Sequence, residues 1–278
     1  MTISETVSRR AAMYLWGACL ALAAVAGLSG CATTAEPAGM HGNQPDIVTD
    51  SDEPEARKRA RIRLELAIGY FEQGQTTVAL DEIKQALVVD PAYAEAYNLR
   101  GLIYMRLNDL RLAEESFRRA MALNPRDANV THNYGWLLCQ QARYPESFQA
   151  FAQAIANPTY GGRAKTWMAQ GLCQTRAGQR AEAEYSLGKS YELDAANPVT
   201  GYNLAMLLFQ RGELVRAQFY IRRLNNGEMA NAESLWLGIK IEQRLNNREA
   251  VEQLATQLKK RYPQSREVGA YERGAFNE

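Results

Sequence analysis

Residues 94–127, AEAYNLRGLIYMRLNDLRLAEESFRRAMALNPRD, set small residues at Gly101, Ala113 and Ala120 among larger ones at Tyr97, Tyr104 and Phe117, and Pro125 follows. The same arrangement stands 34 residues earlier at Ala67, Tyr70, Ala79, Ile83, Ala86 and Pro91. It returns 34 residues later at Gly135, Leu138, Ser147, Phe151 and Ala154. Two extra residues near Gly161-Gly162 interrupt it, and it resumes at Gly171, Ala183, Leu187 and Ser190, then at Ala205, Leu208, Ala217, Ile221 and Leu224. A turn position repeats as Gly74, Asn108, Ala142, Gly178, Gly212 and Asn246. Gly and Asn suit the left-handed residue that ends a helix. Self-similarity at a fixed step of this length is the signature of a stacked repeat.

The pattern resembles the tetratricopeptide repeat, a helix pair in which small residues at positions 8, 20 and 27 let the two helices cross closely. One such pair cannot bury its apolar stripe alone, so neighbours must stack. The expected fold is an all-α tetratricopeptide solenoid, a right-handed superhelix of about six helix pairs. Its body spans 54–278, with Pro54 in the first turn of the opening helix. The sixth pair, about 231–264, is the weakest, because Ala250 and Leu254 come one residue early. From Ser265 onward a short capping helix or a frayed end is expected.

The N-terminus reads differently. Arg9 and Arg10 precede an uncharged Ala/Leu-rich run from Ala11 to Leu28, and Leu28-Ser29-Gly30-Cys31 closes it. That order of charge, apolar run and small residues marks residues 1–30 as a secretory signal peptide. Leu-Ser-Gly-Cys resembles the bacterial lipobox, which implies that Cys31 is lipidated and becomes the first mature residue. Two or three acyl chains hold stably where one binds marginally. Ala32 and Thr33 follow the cysteine, with no Asp that would retain a lipoprotein in the inner membrane. The resemblance implies an outer-membrane lipid anchor facing the periplasm of a Gram-negative cell. Residues 31–53, rich in Pro, Gly and polar residues, form a flexible tether from that cysteine. His41 lies in it without a role.

Charge and chemistry exclude several classes. The chain has 278 residues with 32 Lys+Arg against 31 Asp+Glu, so no field of one sign points to nucleic acid. Two His and four Cys leave little for a zinc site, and no metal or other cofactor is expected. HExxH, GxSxG and the phosphate-binding Gly loop are all missing from the sequence. His132 sits beside Asn129 and Asn133 with no acid or nucleophile in reach of the helical pattern. The chain reads as a binding protein, not an enzyme.

In this repeat class positions 2, 5, 9 and 12 of each first helix line the concave face. They are filled here by Leu64, Ile68 and Phe71, by Leu102 and Met105, by Trp136, and further on by Met168, Leu172, Tyr202, Met206 and Phe209. A contiguous apolar band marks an interaction site. The expected partner groove is Ile68, Phe71, Leu102, Met105 and Trp136, although Trp136 and Leu172 equally suit gap-filling between helices. Such a groove takes an amphipathic helix or an extended segment through apolar anchors. Leu64 and Ile68 occupy slots where some tetratricopeptide domains place carboxylate-clamping residues, so recognition is expected to be apolar rather than anionic. The cations Arg57, Lys58, Arg59, Arg61 and Arg63 read as a solvated face balanced by Glu55 and Glu65 rather than a lipid contact.

Cys139 and Cys173 fall on the first helices of the third and fourth repeats, 34 residues apart. The inserted pair shifts them from position 12 to position 10. In an oxidising periplasm a disulfide between them is expected, with two buried free thiols as the alternative.

Asn133-Tyr134-Gly135-Trp136-Leu137-Leu138-Cys139-Gln140, then Arg143-Tyr144, Glu146-Ser147-Phe148 and Pro158-Thr159-Tyr160, resembles the type IV pilus biogenesis/stability lipoproteins of the PilF/PilW family. Gly171-Leu172-Cys173 and the lipobox agree, whereas Ala169-Gln170 departs from an Asn-Ala pair. The resemblance implies a pilotin, monomeric on its own, that binds type IV pilus secretin subunits and supports twitching motility. The competing reading is a periplasmic lipoprotein scaffold for peptidoglycan enzymes or outer-membrane barrel assembly.

Overall fold

The computed structural model describes residues 52–277, which lie within one compact unit, Asp50–Glu278. The expected signal segment 1–30, the expected lipidation site Cys31 and His41 lie outside the described residues. Six antiparallel pairs follow one another: α1 (Glu55–Glu72) with α2 (Thr76–Val89), α3 (Ala94–Arg106) with α4 (Leu110–Leu123), α5 (Ala128–Gln140) with α6 (Tyr144–Ala156), α7 (Arg163–Arg176) with α8 (Arg180–Leu193), α9 (Pro198–Gln210) with α10 (Leu214–Asn225), and α11 (Ala232–Arg244) with α12 (Arg248–Arg261). A short α13 (Arg266–Glu272) ends the array. Pro54 is the residue before α1 rather than in its first turn, with φ −57° and ψ 141°.

The turn within each pair is made the same way six times. Gly74, Asn108, Ala142, Gly178, Gly212 and Asn246 all have positive φ, from 57° to 81°. The residue after each donates its amide back across the turn, as in Asp109 N to Tyr104 O at 2.9 Å and Glu213 N to Leu208 O at 2.9 Å. These bonds satisfy carbonyls that a helix end otherwise leaves open. Ala142 is the costly member, because a Cβ disfavours the left-handed region.

Pairing depends on a small residue facing a large one. A Cβ on Gly101 would lie 2.5 Å from the Phe117 ring, and one on Gly171 2.6 Å from Leu187. The sixth pair keeps the step but reverses the sizes. Ile239, Val251, Ala255 and Leu258 are buried together where the fifth pair has Ala205, Ala217, Ile221 and Leu224. The position-20 and position-24 residues are therefore Val251 and Ala255, not Ala250 and Leu254. The large side chain has moved from the second helix to the first, so the packed volume is roughly conserved.

The C-terminal residues form a capping helix. Ser265 caps α13 through Val268 N, Val268 is buried, and Phe276 lies 5.5 Å from the Trp236 ring. Among the described residues no helix is long and apolar enough to cross a membrane.

Candidate partner-binding surface

The first helices stand side by side, so their exposed positions make one continuous lining. Of the five residues expected in the groove, Ile68 is the most open, at 40% exposure. Phe71 and Leu102 pack against the core of the first repeat, while Met105 joins the cluster built on Phe117 and Leu137. Trp136 packs over the cluster of Cys139, Phe151, Ala169 and Cys173. Leu64 and Phe209, also placed on this face by position, are buried.

The aromatic members carry cations. The Arg106 guanidinium lies 3.8 Å from the centre of the Phe71 ring and also donates to the Phe71 carbonyl at 2.5 Å. Arg176 lies 4.8 Å from the Trp136 ring and Arg244 4.3 Å from the Phe209 ring. Each of these arginines ends a first helix (α3, α7, α11) and reaches back to an aromatic on the preceding first helix (α1, α5, α9). A cation in the last turn also suits the helix dipole. A cation–π contact contributes about 0.5–1 kcal/mol where exposed. Helices α1, α5 and α9 end instead in Glu72, Gln140 and Gln210. The lining is thus apolar with guanidinium groups laid on it, in alternate junctions. Arg106, Arg176 and Arg244 escape the sequence reading because they occupy the position after the last one inspected. Their recurrence as the final residue of every second first helix was the available signal.

The basic entry of α1 is largely neutralised by acids. Arg57 is paired with Asp90, Lys58 with Glu55, Arg61 with Glu53 and Glu65, and Arg63 with Glu82.

Behind Trp136 lies the junction of the third and fourth repeats. Cys139 and Cys173 are joined as a disulfide with Cα atoms 5.9 Å apart. Ser147 Oγ donates to Gly135 O at 2.7 Å and touches Cys173 Sγ at 3.5 Å. His132 is buried, its Nδ1 2.9 Å from Thr166 Oγ1, which in turn lies 3.1 Å from the Tyr160 hydroxyl. Burial, with the charge of Lys165 adding to it, pushes His132 down to about 4. It is a neutral hydrogen-bonding group at physiological pH, and its side-chain hydrogen-bond partner among the described residues is the Thr166 hydroxyl. At the two-residue insertion near Gly161-Gly162, the buried Tyr160 ring forms the end of this network. A Cβ on Gly162 would lie 2.5 Å from that ring. Of the departure Ala169-Gln170, Ala169 packs into the disulfide cluster, and Gln170 Oε1 is buried without a partner among the described residues.

Comparison with known proteins agrees with this architecture. The tetratricopeptide repeat family matches residues 64–128 and 100–161. The type IV pilus assembly protein PilF of Pseudomonas aeruginosa is 31% identical over 246 residues, covering 88% of this chain and 94% of the relative. A solved structure of Pseudomonas aeruginosa pilF superposes with a TM-score of 0.71 at 29% identity, covering 80% of this chain and 100% of that one. A crystal structure of PilW, a widely conserved type IV pilus biogenesis factor, gives 0.69 at 32% identity, covering 76% and 97%. The similarity runs through the whole array rather than through one generic pair, and it is to non-enzymatic assembly factors. By its sequence along nearly its full length and by its stacked helix pairs, the chain belongs to the PilF/PilW family of tetratricopeptide proteins.

Proposed function

We propose that the chain is an outer-membrane lipoprotein that serves as pilotin for the type IV pilus secretin, and that pilus biogenesis and twitching motility require it. The observation that carries this reading is the 31% identity to PilF across nearly the full length of both chains. The proposed division is a signal peptide at 1–30, a tether at 31–53 anchored through lipid on Cys31, and the repeat array at 54–278. The lipid supplies membrane affinity, the tether reach, and the array a binding face; no reaction is needed. The disulfide of Cys139 and Cys173 forms in the oxidising periplasm. Secretin binds along the first-helix face, with Ile68, Phe71, Leu102, Met105 and Trp136 giving apolar contact and Arg106 and Arg176 selecting acidic groups.

Deleting the gene is expected to abolish twitching and the heat-stable secretin multimer. Persistence of both, with altered cell shape or porin levels instead, would reject the pilotin reading. Ile68→Asp combined with Arg106→Glu should weaken secretin pull-down while leaving the helical spectrum unchanged. Undiminished pull-down by that folded variant removes the groove assignment alone.

A further inference from the structure

The repeats supply their own control for the opposite face. Seven residues after each left-handed turn residue, the second helices present Asp81, Glu115, Gln149, Tyr185, Phe219 and Gln253. Four of the six are polar, as an exposed helix position ordinarily is. The fourth and fifth repeats instead place aromatic rings there, 61% and 59% exposed. Val215, one turn before Phe219, is 72% exposed. Tyr185 meets Trp167 of its own pair edge-on at 5.9 Å, whereas the ring contact of Phe219 is with its chain neighbour Tyr220, so packing between the two helices of the fifth pair does not account for an aromatic at 219.

One turn beyond Phe219, Arg223 leads to a cavity of about 340 Å³ between the end of α8, the start of α9 and the end of α10. Tyr191, Pro198, Tyr220, Arg223 and Met229 are among its lining residues. Tyr191 meets Tyr220 edge-on at 4.9 Å, and Tyr220 meets Phe219 at 5.1 Å, so the exposed ring and the cavity wall are continuous. The Tyr191 hydroxyl is buried and has no hydrogen-bond partner among the described residues. Such a group is ordinarily paired. Arg223 rests 5.8 Å from the Tyr191 ring and has no ion-pair partner among the described residues, although nearby Arg222 is paired with Glu242. Met229, on the far rim, is 62% exposed. Glu228 also lies on the lining, so an incoming negative charge is favoured on the Arg223 side only.

We infer that this cavity and the Phe219 face form a second protein-docking site, for a segment that carries a bulky apolar side chain next to a carboxylate. The volume is at the small end for ligand cavities, suited to one large side chain rather than a cofactor. The apolar side chain fills the cavity against Tyr191, Tyr220 and Met229. The neighbouring carboxylate meets Arg223, and the flanking backbone lies over Phe219 and Val215. This site is built from the second helices α8 and α10, the loops that follow them and the first turn of α9, and it shares no residue with the groove assigned above to secretin.

The test is selection of a displayed library of random linear dodecapeptides on the full mature chain in detergent, repeated on Phe219→Ser and on Arg223→Glu. Both positions are exposed, and unchanged far-ultraviolet circular dichroism confirms that the variants fold. The expected result is a set of peptides pairing Phe, Trp, Leu or Met with Asp or Glu, whose affinity falls at least tenfold in each variant. Arg223→Glu should select the same apolar residues beside Lys or Arg instead. Failure to enrich such a set, or binding of the enriched peptides to either variant as tightly as to the unsubstituted chain, overturns the inference. So does binding of phosphatidylglycerol vesicles that Phe219→Ser abolishes, since the patch would then be a lipid contact.

Discussion

The junction between the third and fourth repeats and the junctions on either side of it solve one packing problem with different chemistry. Between the second and third repeats, Glu114 on α4 takes Arg143 at 2.9 Å and Gln141 at 3.2 Å. Burial would raise its pKa, but those hydrogen bonds outweigh it and hold the carboxyl below its usual range. Between the fourth and fifth, Glu184 at the same repeat position takes Arg211 and Arg216. The third repeat has Phe148 there, stacked on Tyr144 and packed against the Cys139–Cys173 cluster. The middle of the array has exchanged a half-exposed ion pair for an aromatic ring, a disulfide and the buried His132–Thr166–Tyr160 network. Its neighbours are screened by salt, whereas the middle answers to reductant and acid.

The sharpest way to break this contrast is to remove the covalent link. Replacing both Cys139 and Cys173 with Ser, or adding reductant, should cost about 3–4 kcal/mol for a closed loop of this length. The shift is read as a lower denaturant midpoint. If the doubly substituted chain matches the oxidised one, the middle junction is held by packing alone.

Acid should loosen the same junction next. His132 is held at about 4 in the folded chain against 6.5 for the ordinary group. The unfolded chain therefore binds a proton that the folded chain refuses. Stability contributed by the neutral ring is complete above pH 6.5 and is lost as pH falls from there to about 4. The loss is about 3 kcal/mol for a shift of that size. Carboxylates titrate over part of this range, so the measure is the difference between wild type and His132→Gln. A pH profile of unfolding free energy with the same slope in both chains would remove His132 from the account.

The flanking junctions should give a smaller effect with the opposite sensitivity. Glu114→Gln is expected to cost about 1 kcal/mol in low salt, because Arg143 still meets solvent and its attraction is partly screened. Adding salt to molar strength should shrink that difference while leaving the cost of the cysteine substitutions unchanged. Equal salt dependence for both would mean that the two kinds of junction do not differ as described.

Much of this was visible in the sequence, and the failures share one cause. The turn residues were legible because a left-handed φ restricts which residues serve cheaply, and that restriction survives in Gly74, Asn108, Gly178, Gly212 and Asn246. The crossing points were legible while small faced large in a fixed order. Ile239 and Ala255 hid the sixth pair because only the summed size is constrained, not which helix supplies it. Phe148 was seen as part of a family motif, but its exchange for a carboxylate has meaning only once Arg143 and Arg211 are known to reach across. The five residues expected in the groove do fall on first helices, yet their apolar reading missed the arginines one residue further on. A guanidinium bound to a ring is a relation between helices, and repeat position alone does not encode it.

The smallest effect belongs to the edge of the first repeat, which has no preceding repeat among the described residues, and it fixes the zero for the others. Position 3 of the first helix holds Ala96, Val130, Thr166, Thr200 and Ser234 in the second to sixth repeats, each with no measurable exposure. In the first repeat it holds Ile62, which is 54% exposed, with Leu66 one turn on at 44%. Here no preceding second helix is present among the described residues to cover it. Gly69, a further turn along, has open space where a Cβ would stand. Ile62→Lys should therefore change the unfolding free energy, read from denaturant titration, by no more than about 0.5 kcal/mol, as surface substitutions do. Val130→Lys, at the same repeat position, should cost several-fold more, since it buries an unpaired ammonium against the second repeat. If Ile62→Lys proves as damaging as Val130→Lys, the edge of the first repeat is covered in the intact protein, and the array does not begin at α1.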